Sequence, residues 1–192
     1  MNIGVIKTSL KENEKRLPIY PPHLSFIDIE VRNSIILESG YGLDFKLTDY
    51  DLENMGYTIK NRGDIFFESD LIILPKPTDQ DLDKMKPNQI LWGWTHCVQN
   101  KEIAQYAIDK KLTYISWENM NLWQGDTKLL HIFYKNNEIA GYSSVLHVLQ
   151  LMGMDGYYDE NKKVIVFGYG SVSKGSIRAL YGRGFKDITV LS

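Results

Sequence analysis

Apolar residues along this chain fall into two kinds of pattern. In "NIGVIK" (2–7), "SIILE" (34–38), "DLIILPK" (70–76), "QILWGWTH" (89–96) and "LTYISWE" (112–118) they form short runs bounded by polar residues or proline, the signature of strands. Between these runs, "NKEIAQYAIDKK" repeats apolar Ile103, Ala104, Ala107 and Ile108 at helical spacing. "TDYDLENMG" and "TDQDLDKM" each open on a Thr-Asp cap, and "PPHLSFIDIEVRN" opens on prolines, so these stretches also predict helices. Strands alternating with helices predict an α/β fold built on a parallel sheet.

Beyond residue 118 the pattern changes. "NMNLWQGDTKLLHIFYKNN" (119–137) is polar and irregular, and "EIAGYSSVLHVLQLMGMDG" then forms a long apolar helix ended by glycine. That helix, 138–154, is read as a connection between two domains. With apolar faces turned to both, its His147 is read as a core residue rather than a ligand. The expected plan is a Rossmann-like substrate domain over 1–137, the inter-domain helix, and the first βαβ unit of a Rossmann dinucleotide-binding domain over 155–192.

The last unit carries the most specific motif. "VIVFGYGSVSKGSIRALYGRGFKDITVLS" (164–192) reads as strand, glycine turn, helix and strand. Gly168 and Gly170 let backbone approach a pyrophosphate, whose charge would rest on the helix amino terminus at Ser171, Val172 and Ser173. The third glycine of the G-x-G-x-x-G fingerprint is replaced by Ser173, with Gly175 two residues later, and a small residue still permits close packing. An NAD-binding domain carries an acidic residue at the end of the second strand, for the ribose 2′-hydroxyl. Here that place falls on Ser192, a neutral hydroxyl that does not repel a 2′-phosphate, so NADP(H) is expected ahead of NAD(H). "SVSK" also matches S-x-x-K of penicillin-recognising enzymes, but inside a phosphate turn the match is chance. A nucleotide fold only begun implies either the amino-terminal portion of a longer enzyme or a truncated module that binds without catalysing.

Composition narrows the partners. The 192 residues are 43% hydrophobic and 24% charged with a formal net charge of −2, ordinary for a globular protein and without the basic footprint that nucleic-acid binding requires. The apolar run at the amino terminus is too short for a signal peptide and no segment reaches the length of a membrane span, so a cytoplasmic protein is expected. A single cysteine, Cys97, and histidines at 23, 96, 131 and 147 without ligand spacing give no expectation of a metal.

In an open α/β sheet, ligands gather outside the carboxyl ends of the strands. Arg16 lies in the loop after the first strand, Lys76 ends "LIILPK" and His96 ends "WGWTH". A guanidinium fork for a carboxylate, an ammonium for a carbonyl oxygen and an imidazole for proton transfer together suit a 2-oxo acid. Each also has a plainer reading: Arg16 as a solvated surface charge, Lys76 as an exposed turn residue, His96 as a structural histidine among Trp92, Trp94 and Cys97. Glu118 and Glu138 are read either as carboxylates supporting the site or as surface charges and helix caps.

"IGVIKTSLKENEKRLPIYPPHL", with its N-E-x-R element followed by proline, resembles the opening of the alanine dehydrogenase and pyridine nucleotide transhydrogenase family. "SDLIILPKP", "LWGWTHCVQN", "NEIAGYSS" and the glycine turn follow in that family's order, so the resemblance spans essentially the whole chain. It implies an NAD(P)H-dependent oxidoreductase acting on a CH–NH bond. Arg16 would take the substrate carboxylate, Lys76 would polarise the carbonyl, and His96 would act as acid and base. The implied partners are a 2-oxo acid such as pyruvate and an amine: the side chain of an amino acid (ornithine or lysine) or, alternatively, ammonia. A homo-oligomer is expected.

Overall fold

The computed structural model describes residues 1–158 and 162–192, and the chain divides into two compact units, Met1–Asn119 and Met120–Ser192. The division falls ahead of residue 137, and the segment expected to be irregular is an antiparallel hairpin that belongs to the second unit.

The first unit is built on six parallel strands: β1 (Ile3–Val5), β2 (Ile35–Glu38), β3 (Thr58–Lys60), β4 (Leu71–Ile73), β5 (Ile90–Gly93) and β6 (Thr113–Ser116). Their order across the sheet is β3-β2-β1-β4-β5-β6. The chain therefore winds outward from β1 in one direction, returns, and winds outward in the other, leaving a topological switch point between β1 and β4. Parallel strands need covering, and their apolar runs supply the contacts. Ile6, Ile36, Ile72, Leu74 and Leu91 from the strands and their ends pack with Ile65, Phe66, Leu82, Met85 and Ile103 from the crossover helices in one buried cluster. Those helices are α3 (Arg62–Glu68), α4 (Asp79–Asp83) and α5 (Lys101–Asp109), preceded in the chain by α1 (Ile29–Arg32) and α2 (Asp49–Asn54).

Caps set most of these boundaries. Thr48 with Asp51 and Thr78 with Asp81 form reciprocal capping boxes, and the amides of Asn61 and Asn100 accept from the backbone of Asp64 and Ile103. The single helix expected over "PPHLSFIDIEVRN" is instead a 3₁₀ turn, Pro21–Phe26, followed by the short α1. Ile27 and Asp28 between them are extended, and Arg32 donates to the carbonyls of Ser25, Ile27 and Met55, which fastens the break.

In the second unit β7 (Asn121–Gln124) and β8 (Thr127–His131) form the hairpin, and α6 (Tyr134–Met152) follows. Then β9 (Lys163–Phe167), α7 (Ser171–Gly182) and β10 (Asp187–Leu191) make the expected βαβ unit, with β9 and β10 parallel. Its core is Leu149, Leu180 and Phe185, with Val164, Val166 and Ile188 of the strands packed against them. α6 was expected to bury apolar faces on two sides; it buries Gly141 and Leu149, while His147 is exposed and not in a core. α6 and α7 cross at backbone distance. A Cβ on Gly141 would overlap the Val172 carbonyl, and one on Gly175 would overlap that of Glu138. Among the described residues no helix is long and apolar enough to cross a membrane.

Candidate active site

The loops that leave β1, β4 and β5 meet at the switch point, and Gly93 makes the meeting close. A Cβ there would overlap the Leu74 carbonyl oxygen, so only glycine lets the exit of β5 lie against the exit of β4. Two backbone bonds flank that contact: Leu74 N–H to the Trp92 carbonyl at 3.1 Å and Trp94 N–H to the Pro75 carbonyl at 2.8 Å. Lys76 follows Pro75 directly and His96 lies two residues past Trp94.

Arg16 comes to the same place from the loop after β1. Its guanidinium carbon stands 4.8 Å over the Trp94 ring, which meets Trp117 edge-on at 4.6 Å. Glu14 grips it from the side. Nε donates to Glu14 Oε1 at 2.7 Å, Nη2 bonds the other oxygen, and the Arg16 backbone N–H donates to Oε1 at 3.0 Å. This pairing holds the Glu14 carboxyl below and the Arg16 guanidinium above their usual ranges. The Glu14 side chain is only 5% exposed and that of Arg16 is 41% exposed, so the carboxylate is the buried partner and the fork faces outward. Among the described residues Nη1 makes no hydrogen bond, and a guanidinium can present such an edge to a second carboxylate.

Lys76 is half-buried, and desolvation is the main reason its ammonium is held below the usual lysine range. The charges of Lys11 and Arg16 push in the same direction, while those of Glu14 and Glu118 oppose it. Lys76 and Arg16 are thus close enough to act on one another electrostatically.

The His96 backbone is in the left-handed region, with φ of 49°, an uncommon conformation for a residue with a side chain. Glu118 Oε1 stabilises it by accepting the His96 backbone N–H at 2.5 Å, and the same oxygen lies 3.2 Å from the ring Nδ1. Nδ1 thus faces Glu118, and Nε2 is the nitrogen on the other side of the ring. The imidazole is 44% exposed, which sets aside the reading of a buried structural histidine. Of the two candidate carboxylates, Glu118 therefore sits at the site. Glu138 lies on α6, paired with Arg178 at 2.7 Å and Lys135 at 3.4 Å. Sequence reasoning passed over Glu14, although it stands in the quoted N-E-x-R element, and gave no role to Gly93 or Lys11.

In the second unit β9 runs into α7 through the glycine turn expected from the sequence. Gly168 has φ of 82°, and Gly168 N–H donates to the Leu191 carbonyl at 2.7 Å, which brings Ser192 beside the turn. A Cβ on Gly170 would meet nothing within 4 Å, so the space over the turn is open. α7 begins at Ser171 with no acidic residue in its first turn, leaving its amide dipoles unopposed. Ser171, Val172 and Ser173 lie in that turn. Gly175 does not replace the fingerprint's third glycine in helix-to-strand packing, since it serves the crossing with α6.

A parallel sheet with a switch point, cationic loops at its carboxyl edge and a following glycine-turn βαβ unit define a Rossmann-like α/β protein. Residues 4–140 match the family model described as "Alanine dehydrogenase/PNT, N-terminal domain", and the chain belongs to that family. Among curated relatives, N(5)-(carboxyethyl)ornithine synthase of Lactococcus lactis is 29% identical over 94% of this chain and 59% of its own length. Alanine dehydrogenase of Methanococcus maripaludis is 27% identical over 100% of this chain and 53% of its own. Among solved structures, an L-alanine dehydrogenase superposes with a TM-score of 0.73 at 22% identity, covering 96% of this chain and 53% of the other. A transhydrogenase from Sinorhizobium meliloti gives 0.68 at 15% identity, covering 99% and 58%. The chain spans between 53% and 59% of the length of these relatives.

Proposed function

We propose that this chain supplies the substrate site and the start of the nucleotide site of an oxidoreductase that condenses a 2-oxo acid, pyruvate, with the side-chain amine of an amino acid, ornithine, and reduces the product with NADPH. The observation that carries the reading is the gathering of Arg16, Lys76 and His96 at the carboxyl edge of β1, β4 and β5, with Arg16 held by Glu14 and Trp94 and His96 by Glu118. The free edge of Arg16 takes the oxo acid's carboxylate. Lys76, charged and partly desolvated, donates to the carbonyl oxygen and draws electron density from the carbon that the amine attacks. Lys76 gives a proton to that oxygen as it becomes a hydroxyl, and the Nε2 of His96 accepts a proton from the attacking amine and passes it to the departing hydroxyl, so that water leaves and a protonated imine remains. A nicotinamide cofactor would supply the hydride that reduces this imine. The open glycine turn with Ser171, Val172 and Ser173 fits its pyrophosphate, and Ser192 accommodates a 2′-phosphate. The curated relatives named N(5)-(carboxyethyl)ornithine synthase support ornithine as the amine. Those named alanine dehydrogenase support ammonia as the second reading.

The test measures pyruvate binding by titration calorimetry in the chain and in its Arg16→Ala and Lys76→Met variants. Binding that weakens at least about tenfold in both supports the site, since each removes a charged hydrogen bond; equal binding in all three sinks it. Ornithine, lysine and ammonium are then compared, in the protein that carries this chain, by loss of reduced-nicotinamide absorbance with NADPH and with NADH. Turnover with ammonium alone favours the second reading, and a clear NADH preference removes the role given to Ser192.

A further inference from the structure

We infer that Asp81 is a positioning residue that sets the spacing between the loop of Arg16 and the loop of Lys76; this rests on reading those two residues as the substrate anchors. Asp81 is fully buried. Through Oδ2 it accepts the Thr78 backbone N–H at 3.0 Å and the Thr78 hydroxyl at 2.9 Å, two residues beyond Lys76. The same oxygen accepts the backbone N–H of Leu10 at 3.0 Å, in the loop that runs from β1 to Arg16. One carboxylate oxygen thus ties together two loops about seventy residues apart in the chain.

The second oxygen explains why a buried charge is held there. Asp81 Oδ1 faces Arg62 Nη1 at 3.4 Å, and Arg62 in turn donates through Nε to Glu38 Oε1 at 3.0 Å and through Nη2 to the Thr8 carbonyl. Glu38 Oε2 accepts the Lys7 backbone N–H at 2.7 Å. The exit of β1 is consequently caught at Lys7, Thr8 and Leu10 by side chains from three other elements. A helix cap alone needs none of this. The chain carries its own comparison in Asp51, which makes the same capping box with Thr48, is not fully buried and, among the described residues, bonds to no second loop. Asp81 does what Asp51 does and also joins the site's two halves.

The experiment pairs pyruvate titration calorimetry with amide hydrogen exchange over residues 7–16, in wild type, Asp81→Ala, Asp81→Asn and Asp51→Ala. Asp81→Ala should raise the pyruvate dissociation constant and speed exchange over 7–16 by about tenfold or more each, the effect of losing bonds to a buried charge. Asp81→Asn keeps the volume and one acceptor oxygen and should recover most of the binding, at about threefold below wild type. Asp51→Ala loses a cap of the same kind and should leave both readouts within about twofold of wild type. Wild-type binding and exchange in Asp81→Ala would overturn the inference, as would an equal loss in Asp51→Ala. If Asp81→Ala does not fold, Asp81→Asn decides: wild-type values in both readouts overturn the inference and a partial loss in both supports it. Exchange over 7–16 involves no ligand, so a failure of Arg16→Ala to weaken pyruvate would count against the anchors and leave the loop coupling separately judged.

Discussion

Gly93→Ala places a methyl group where the Leu74 carbonyl oxygen lies and tests whether the site depends on backbone contact between β4 and β5. The obstacle is main chain, so no side-chain rotation relieves it and the two strand exits must separate. Separation stretches the bonds from Leu74 to Trp92 and from Trp94 to Pro75, at 3.1 and 2.8 Å. Their net contribution is about 0.5–1.5 kcal/mol each, and overpacking adds about 1–3 kcal/mol, so the cost is about 2–6 kcal/mol. For a unit of this size that corresponds to a fall in melting temperature of roughly 8–24 °C. Circular dichroism melts of wild type and Gly93→Ala read the stability, and calorimetry with pyruvate reads the site. Affinity should fall as well, because Lys76 and His96 hang from the two displaced exits. A melting temperature within about 2 °C of wild type would refute the packing account, and a large fall in stability with unchanged pyruvate affinity would refute its link to the site.

Burial holds Lys76 below the usual lysine value of 10.5, so in the window between its folded value and 10.5 the unfolded chain binds more protons and stability should rise with pH. Over the same window pyruvate affinity should fall as the ammonium is lost; Lys76→Arg should keep its affinity there, and pH titrations of melting and binding that run the other way would refute the assignment. Tyr41→Phe removes a fully buried hydroxyl that donates to the Ile19 carbonyl and accepts the Ile19 N–H, each at 2.8 Å, and should cost about 1–3 kcal/mol in denaturant unfolding. Gly182→Ala, in the last turn of α7 with nothing within 4 Å of the new methyl, should stabilise the second unit by about 0.5–1 kcal/mol in the same assay.

Strands with continuous apolar runs, such as Leu71–Ile73 and Ile35–Glu38, were legible because burial on a central parallel sheet leaves little choice of residue. Thr58–Lys60 was not: it is a short edge strand with one residue exposed and two half-buried, and such a strand carries no apolar signal. The hairpin was hidden by the exposure of both its strands, although Gly125 and Asp126 between "NLWQ" and "TKLLH" mark its turn. Arg16, Lys76 and His96 could be placed near one another because each follows a strand of one parallel sheet, whose carboxyl ends lie along one edge. Asp81 could not, since Thr-x-x-Asp reads the same at 48–51 and at 78–81. Only the packing buries one carboxylate fully and not the other.

The backbone crossing of α6 and α7 has a mechanical consequence. Helices held apart by side chains can absorb a small displacement by changing rotamers, but at Gly141 and Gly175 the surfaces in contact are peptide groups, which have no rotamers to change. Closer approach of α6 to the first turn of α7 is therefore blocked by main chain, and the distance between the two helices is fixed at two residues that have no side chain.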